Sequence, residues 1–138
     1  MSSRKLKVIL DTNLWISFLI SKNLSKLDSP IKRGEIRLLF SEESLTEFLN
    51  IATRPKFEEY FTYSDIVEIF EYIDQYGSII KVKSKVNLCR DSKDNFWLEL
   101  AKDSKADYLV TGDKDLLVIK KFGKTEILAL KDFINKLT

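Results

Sequence analysis

The chain has 138 residues, 44% hydrophobic and 32% charged, a composition typical of one globular domain rather than of a disordered chain. It contains no histidine and a single cysteine, which excludes Ser-His-Asp and Cys-His triads, histidine-ligated zinc and an intrachain disulfide. No apolar run approaches the length of a membrane span, and the basic start lacks the apolar core of a secretory leader. We therefore expect a single domain over residues 1–138, without membrane contact, in the reducing environment of the cytoplasm.

The formal net charge of +2 conceals an uneven distribution of charge along the chain. Residues 42–74 carry nine acids and only two cations, Arg54 and Lys56, so the rest of the chain carries nine net positive charges. Four of these cations directly precede the acidic motif described below: Lys81, Lys83, Lys85 and Arg90. A basic region beside an acid cluster would suit a polyanion held against metal ions, whereas each lysine alone is equally compatible with an ordinary solvated surface.

Hydrophobic periodicity predicts five strands that alternate with helices in chain order. The predicted strands are residues 7–10, 36–40, 78–82, 108–111 and 125–129. The predicted helical segments follow Asp11, cover 22–34, run from Ser41 to about Thr53 and from Ser64 to Gly77, begin again at Ser92 or Asp94, and cover 131–137. The alternation predicts an α/β fold with a parallel sheet covered by helices on both faces.

Breaks between these elements come from proline, glycine and aromatic residues. Pro30 is expected near the start of the second helix and Gly34 at its end. Arg54-Pro55-Lys56-Phe57 interrupts the helical pattern, and an aromatic linker follows through Tyr63. Cys89 is expected to be a small buried residue rather than a nucleophile, because the chain offers no histidine to activate it.

Two acids occupy the same place after two separate strands. Asp11 follows the buried strand Lys7–Leu10, and Asp113 follows the strand that Gly112 ends. The carboxyl ends of parallel strands form the ligand-binding edge of open α/β sheets, so both acids are candidates for a functional site. Each could equally be only the N-cap of the helix that follows it.

Two further acids can reach the same edge from helices. Asp94 stands at the head of the helix that leads to the fourth strand, where it could cap that helix or face the site. Glu47 borders the polar face of the helix after the second strand. Its position fits the rim of a cleft, an ordinary surface site, or the acid of a Ser44–Glu47 capping box.

Four converging carboxylates would repel one another, by about 4 kcal/mol for each pair at about 4 Å and an effective dielectric near 20. Mg²⁺ or Mn²⁺ would relieve this repulsion, because hard cations prefer oxygen ligands. Such ions lower the pKa of bound water and stabilise in-line displacement at phosphorus. The acids therefore favour metal-dependent hydrolysis of phosphodiester bonds.

Four motifs together resemble the PIN-domain nucleases, above all the bacterial and archaeal group regarded as toxins of toxin–antitoxin pairs. They are Val8–Asn13, Ser44–Leu49, Asp91–Asn95 and Val110–Leu117, and the likeness covers essentially the whole chain. It implies a three-layer α/β/α domain with a five-stranded, mainly parallel sheet in the order 3-2-1-4-5. It also implies that one or two Mg²⁺ or Mn²⁺ ions activate water to cut single-stranded RNA, held by Asp11, Glu47, Asp94 and Asp113.

The same resemblance implies supporting residues, which would orient these acids or take part around them. They are Thr12, Asn13, Asp91, Thr111 and Asp115. The Ser92-Lys93 between Asp91 and Asp94 departs from the more acidic stretch of the family. A toxin would also have an antitoxin partner, and PIN relatives commonly form homodimers.

The interpretation as a metal-dependent ribonuclease has two alternatives. A phosphatase of the haloacid dehalogenase type would need an Asp at position 13, where the chain has Asn13. A catalytically silent PIN-like RNA-binding or assembly module remains the second hypothesis, against which the intact acids argue.

Overall fold

A mostly parallel sheet forms the centre of the protein. The computed structural model describes residues 5–21 and 25–137, and within them six strands lie in the order β3-β2-β1-β4-β6-β5. Their bounds are β1 Leu6–Leu10, β2 Ile36–Ser41, β3 Gly77–Ile80, β4 Tyr108–Val110, β5 Lys121–Phe122 and β6 Thr125–Leu128. All neighbours pair in parallel except β5, which runs antiparallel to β6. The five predicted strands and their order are confirmed, with β6 as the fifth, whereas the two-residue β5 was too short to produce a pattern.

Seven α-helices are described, together with two 3-10 turns at Pro55–Phe57 and Ser92–Asp94. The helices are α1 Thr12–Ser21, α2 Ser25–Lys32, α3 Glu42–Ala52, α4 Tyr63–Tyr76, α5 Asn95–Ser104, α6 Lys114–Leu117 and α7 Leu130–Leu137. None of these helices is long and apolar enough to cross a membrane. Residues 22–24 of the predicted second helix lie outside the described residues, and Pro30 lies in the second half of α2 rather than near its start.

The helices bury two separate hydrophobic cores, one on each face of the sheet. Val8 and Leu10 of β1 pack with residues of α1, α2, α3, α4 and α7, whereas Ile9 between them packs with α5 and α6. Successive strand residues point to opposite faces, so a continuous apolar strand such as β1 must be covered on both sides. The predicted three-layer α/β/α architecture is confirmed.

Several helix ends differ from the prediction in their capping. Ser41 caps α3 as predicted, but its capping box is closed with Ser44, so the alternative Ser44–Glu47 box does not form. Thr62, not Ser64, caps α4: its hydroxyl oxygen accepts the Asp65 N–H, and the Asp65 carboxylate accepts the Thr62 N–H. Reciprocal hydrogen bonds satisfy two backbone donors at once, which favours Thr62 over a lone serine.

Gly77 ends α4 as predicted, but its backbone is extended, with φ −120°. A Cβ at this position would lie 2.9 Å from a ring atom of Phe40, nearer than side chains approach. Glycine is therefore required here for the close packing of β3 against β2, not for a left-handed helix end.

Candidate active site

The candidate site is a cleft of about 670 Å³ at the carboxyl edge of the sheet. In the register of β1 and β4, Leu10 pairs with Val110, so the residues that follow them emerge side by side at this edge. The cleft brings together all four acids expected at the site: Asp11, Glu47, Asp94 and Asp113. The structure therefore places these side chains around one space, although their separations differ.

Asp11 and Thr111 form the first feature of the cleft, which we call the strand-end pair. Asp11 is buried, with 9% of its surface exposed, and Thr111 is fully buried. The Thr111 hydroxyl donates to Asp11 Oδ2 at 2.5 Å, the Gly112 N–H donates to the same oxygen at 3.3 Å, and the Leu14 N–H donates to Oδ1 at 2.9 Å. These bonds compensate for the burial of the carboxylate and hold it in one orientation.

Thr111 also connects the strand-end pair to the next acid. Its Oγ1 accepts the N–H of Asp113 at 3.0 Å, while its hydroxyl proton is directed to Asp11. One hydroxyl thus orders the turn after β4 and the carboxylate after β1. The supporting role of Thr111 in the site stays a prediction.

Asp94, Asp113 and Asp115 form the second feature, which we call the acid cluster. One carboxylate oxygen of each lies within 4.8 Å of the other two. Asp113 caps α6 by accepting the Asp115 N–H at 2.8 Å, so α6 carries two of the three acids into the cluster. Asp115, expected only in a supporting role, lies within this distance of both Asp94 and Asp113.

The charge of Asp94 is destabilised by its surroundings. Burial, then the charge of Asp113 and a hydrogen bond with it, raise the pKa of the Asp94 carboxyl to about 6, with smaller effects from Asp91 and Asp115. Asp94 occupies the N-cap position of α5, but its side chain makes no capping hydrogen bond. The carboxyl is therefore directed at the other acids rather than at the helix.

The donor set of the acid cluster fits a hard divalent cation. It offers only carboxylate oxygens, which are the ligands that Mg²⁺ and Mn²⁺ prefer. Burial and the charge of Asp113 both disfavour the ionised form of Asp94, so a positive charge at this place, whether a proton or a metal ion, would be favourable. Asp94, Asp113 and Asp115 can hold such an ion, with Asp11 and Glu47 facing the same cleft.

The remaining predicted residues differ in their placement. Glu47 is half-buried and reaches the cleft from α3, outside the acid cluster. Thr12 and Asn13 also line the cleft, and the buried Thr12 hydroxyl has no hydrogen-bond partner among the described residues. Asp91 is exposed and accepts the Lys93 N–H at 3.0 Å in the preceding turn, so it acts on Asp94 only as a nearby charge.

Sequence reasoning did not assign Arg54 and Asn50 to the site, although both line the cleft. Arg54 precedes Pro55, which favours the extended conformation observed at Arg54, with φ −67° and ψ 146°. The available signal was compositional, because Arg54 is one of only two cations in the acidic region 42–74. An exposed cation therefore stands on the α3 side of an otherwise acidic cleft.

Two neighbours complete the electrostatic environment of the acid cluster. The guanidinium of Arg90 lies 3.5 Å from Asp115 Oδ1, with 87% of the Arg90 side chain exposed. Burial, followed by the charges of Asp94, Asp113 and Asp115, raises the pKa of the Cys89 thiol to about 11. The raised pKa disfavours the thiolate near neutral pH, and Cys89 is half-buried rather than buried as predicted.

The chain is similar to known proteins in both sequence and fold. The profile of the PIN domain family matches residues 7–115. The chain is similar to the uncharacterized protein MJ1680 of Methanocaldococcus jannaschii, with 33% identity over 127 residues that cover 90% of this chain and 81% of that protein.

Two solved structures share the fold at low sequence identity. VapBC2 from Rickettsia felis, bound to a DNA fragment from its promoter, matches with a TM-score of 0.58 and 14% identity, covering 88% of this chain and 97% of the matched chain. PAE2754 from Pyrobaculum aerophilum matches with a TM-score of 0.59 and 15% identity, covering 96% and 89%. At this identity the likeness is one of fold.

Proposed function

This chain belongs to the PIN-domain family, and from that membership we propose that it is a ribonuclease that uses Mg²⁺ or Mn²⁺ to hydrolyse phosphodiester bonds of single-stranded RNA. The observation that carries the proposal is the convergence of four acids on one cleft, two of which, Asp94 and Asp113, lie with Asp115 close enough to share an ion. The composition excludes catalysis by histidine, and the raised pKa of Cys89 disfavours a thiolate nucleophile.

In this mechanism Asp94, Asp113, Asp11 and Glu47 would hold one or two ions, and Asp115 would join them from α6. The bound metal would lower the pKa of a water molecule and stabilise the charge that develops on the phosphate. Thr111 keeps Asp11 oriented through its hydroxyl, which preserves the geometry that an in-line attack requires. The unpaired Thr12 hydroxyl and Asn13 offer hydrogen bonds to water or substrate in the same cleft.

We also propose that the protein acts as the toxin of a toxin–antitoxin pair. The four motifs resemble the toxin group of the family, and the shared fold with VapBC2 supports a protein partner. A homodimer is proposed as well, because Tyr60, Tyr63 and Val67 expose large apolar side chains around the start of α4. Light scattering that gives the monomer mass at high protein concentration would contradict the dimer.

The decisive experiment is RNA cleavage with and without chelator. Purified protein should cut labelled single-stranded RNA in Mg²⁺ or Mn²⁺, and excess chelator should abolish the activity. Asp94→Asn should lower the rate at least about a hundredfold, because it removes a metal ligand without changing the size of the side chain. The matched control is Asp74→Asn, which makes the same chemical change at an exposed position near the end of α4. This helix leads into the amino end of β3, whereas the cleft lies at the carboxyl ends of the strands.

Calorimetry of metal binding distinguishes the proposed ribonuclease from a catalytically silent module. Metal binding by the wild type, lost or strongly weakened in Asp11→Asn, supports a functional metal site. Cleavage that survives excess chelator would overturn the metal mechanism, and a wild type that binds no divalent ion would favour the silent module.

A further inference from the structure

A segment without helix or strand connects β3 to the turn before α5, and we call residues 81–90 the connecting segment. Three side chains of α5 hold it in place: Asn95, Glu99 and Asp103. They are spaced four residues apart, so they lie on one face of the helix. Each accepts hydrogen bonds from the backbone of the connecting segment, in place of the strand partners that the segment lacks.

The hydrogen bonds follow α5 from its last turn to its first. Asp103 accepts the N–H groups of Lys83 at 2.6 Å and Ser84 at 2.8 Å. Glu99 accepts the N–H of Val86 at 3.0 Å, and Asn95 Oδ1 accepts those of Leu88 and Cys89, the latter at 2.9 Å. The segment therefore runs antiparallel to α5, and five of its backbone donors are satisfied by helix side chains.

Burial alternates along this segment with a period of two residues. Val82, Ser84 and Val86 are half-buried, and both valines pack against the core beneath α5. Lys81, Lys83 and Lys85 are exposed. The anchored side thus faces α5 and the core, while the three lysines extend away from it, about 6.6 Å apart if the backbone is fully extended.

The row of lysines leads to the acid cluster. The segment ends at Arg90, whose guanidinium lies 3.5 Å from Asp115. Within residues 5–21 and 25–137, none of the three lysines forms an ion pair with a carboxylate. The three lysines thus form a row without carboxylate partners among the described residues, and Arg90, paired with Asp115, continues the row towards the acid cluster.

We propose that Lys81, Lys83 and Lys85, continued by Arg90, form a track that binds the phosphates of single-stranded RNA on its way to the cleft. The proposal rests on the ribonuclease function proposed above. A cleft walled by carboxylates repels a polyanion, so affinity must come from cations placed beside it. A groove or row of cations that follows the backbone is the usual way in which proteins bind single strands without regard to sequence.

The test compares two triple variants with the same change of net charge. The track variant carries Lys81→Gln, Lys83→Gln and Lys85→Gln. The control carries Lys120→Gln, Lys121→Gln and Lys131→Gln, which are all exposed lysines. The first two lie just before and in β5, the outer strand on the other side of the sheet from β3, and the third lies in α7. Binding of a fluorescein-labelled single-stranded RNA is measured by anisotropy in chelator, where the proposed cleavage is prevented, at several salt concentrations.

The track variant should bind RNA about tenfold or more weakly than the wild type at low salt, and the slope of log K against log salt should fall by about 2, as expected for three lost contacts to a single strand. The control should bind like the wild type. In Mg²⁺, the track variant should show a raised KM with a smaller effect on kcat, because the lysines do not touch the reacting atoms.

The outcomes separate this proposal from the proposed function. Equal affinity and slope in all three proteins would overturn the track, and so would equal losses in both triple variants, which would reflect net charge alone. A wild type that binds RNA through the track but never cleaves it would leave the track supported and overturn the ribonuclease function. Cleavage by the track variant with an unchanged KM and unchanged RNA binding would overturn the track and leave the ribonuclease function supported.

Discussion

The strand-end pair and the acid cluster share one cleft, but the surroundings of their carboxylates differ. Asp11 is the more buried acid, yet three hydrogen-bond donors support its two oxygens. Asp94 is less buried, yet burial, the charge of Asp113 and a hydrogen bond with it, and the charges of Asp91 and Asp115 raise its pKa to about 6. The hydrogen-bond donors and neighbouring charges that the fold supplies to a carboxylate therefore matter as well as its burial.

This difference indicates that the two regions contribute differently to the stability of the folded protein. The strand-end pair is completed by folding and needs nothing further for its hydrogen bonds. The acid cluster retains a repulsion that folding leaves in place and that a cation would remove. Substitutions in the two regions should therefore have opposite effects on the stability of the metal-free protein.

The largest expected effect concerns metal binding. Mg²⁺ or Mn²⁺ at a hundredfold excess over its Kd should stabilise the wild type by about 2.7 kcal/mol, since only the folded state assembles the acid cluster. Asp113→Asn should be stabilised much less, whereas Asp74→Asn should respond like the wild type. Thermal unfolding with and without metal measures this difference, and a wild type whose melting ignores both ions would mean that the acid cluster is not a metal site.

The next effect tests the strand-end pair. Thr111→Val keeps the size of the side chain but removes the donor to Asp11 and the acceptor for the Asp113 N–H. The metal-free protein should lose about 2 kcal/mol of stability, the typical cost of leaving buried polar groups unpaired. Thr111→Ser retains the hydroxyl and serves as the control in chemical denaturation. Equal stability of the two variants would show that the hydrogen bond is not important for Asp11.

A smaller effect of opposite sign is expected from the acid cluster. Asp113→Asn should stabilise the metal-free protein by about 1 kcal/mol, because it relieves repulsion after allowance for solvent screening. Asparagine caps a helix nearly as well as aspartate, so the hydrogen bond to the Asp115 N–H can be kept. If Asp113 were only a helix cap, unfolding in chelator would show little change, which is the contrary outcome.

The smallest effect is a dependence of stability on pH. The pKa of Asp94 is raised from 3.8 to about 6 in the folded protein, so its favourable contribution is complete below about pH 4 and is lost as the pH rises through 6. Relative to Asp94→Asn, the metal-free wild type should lose roughly 0.5–1 kcal/mol of stability between pH 4 and 7.5, after discounting for solvent screening. A constant difference between the two proteins over this range would show that the carboxyl has an ordinary pKa.

Local patterns were sufficient to place the strands and the acids that follow them. The continuous apolar run of β1 predicted a strand buried on both faces, and that strand puts Asp11 at the carboxyl edge. The short strand β4 and Gly112 did the same for Asp113. These inferences succeed because strand burial and strand ends follow from the order of apolar and polar residues over a few positions.

Local patterns were less informative where two residues could play the same part. Thr62 and Ser64 are both good helix caps. Thr62 is the cap because it exchanges two hydrogen bonds with Asp65, each side chain accepting the backbone N–H of the other residue. Asp94 fits a helix cap by its position, yet its carboxyl faces Asp113 instead. Arg54 entered no expectation about the cleft, because its distance from the acids depends on how α3 packs.

The amino-acid sequence by itself determined the α/β alternation, the strand-end positions of Asp11 and Asp113, and the family to which the chain belongs. Only the tertiary structure decided that Asp115 joins Asp94 and Asp113, that Thr111 bonds to Asp11, and that α5 holds the connecting segment with its lysines exposed. The reason is that these contacts join different elements of the fold. Their distances depend on strand register and on helix packing, which local periodicity does not specify.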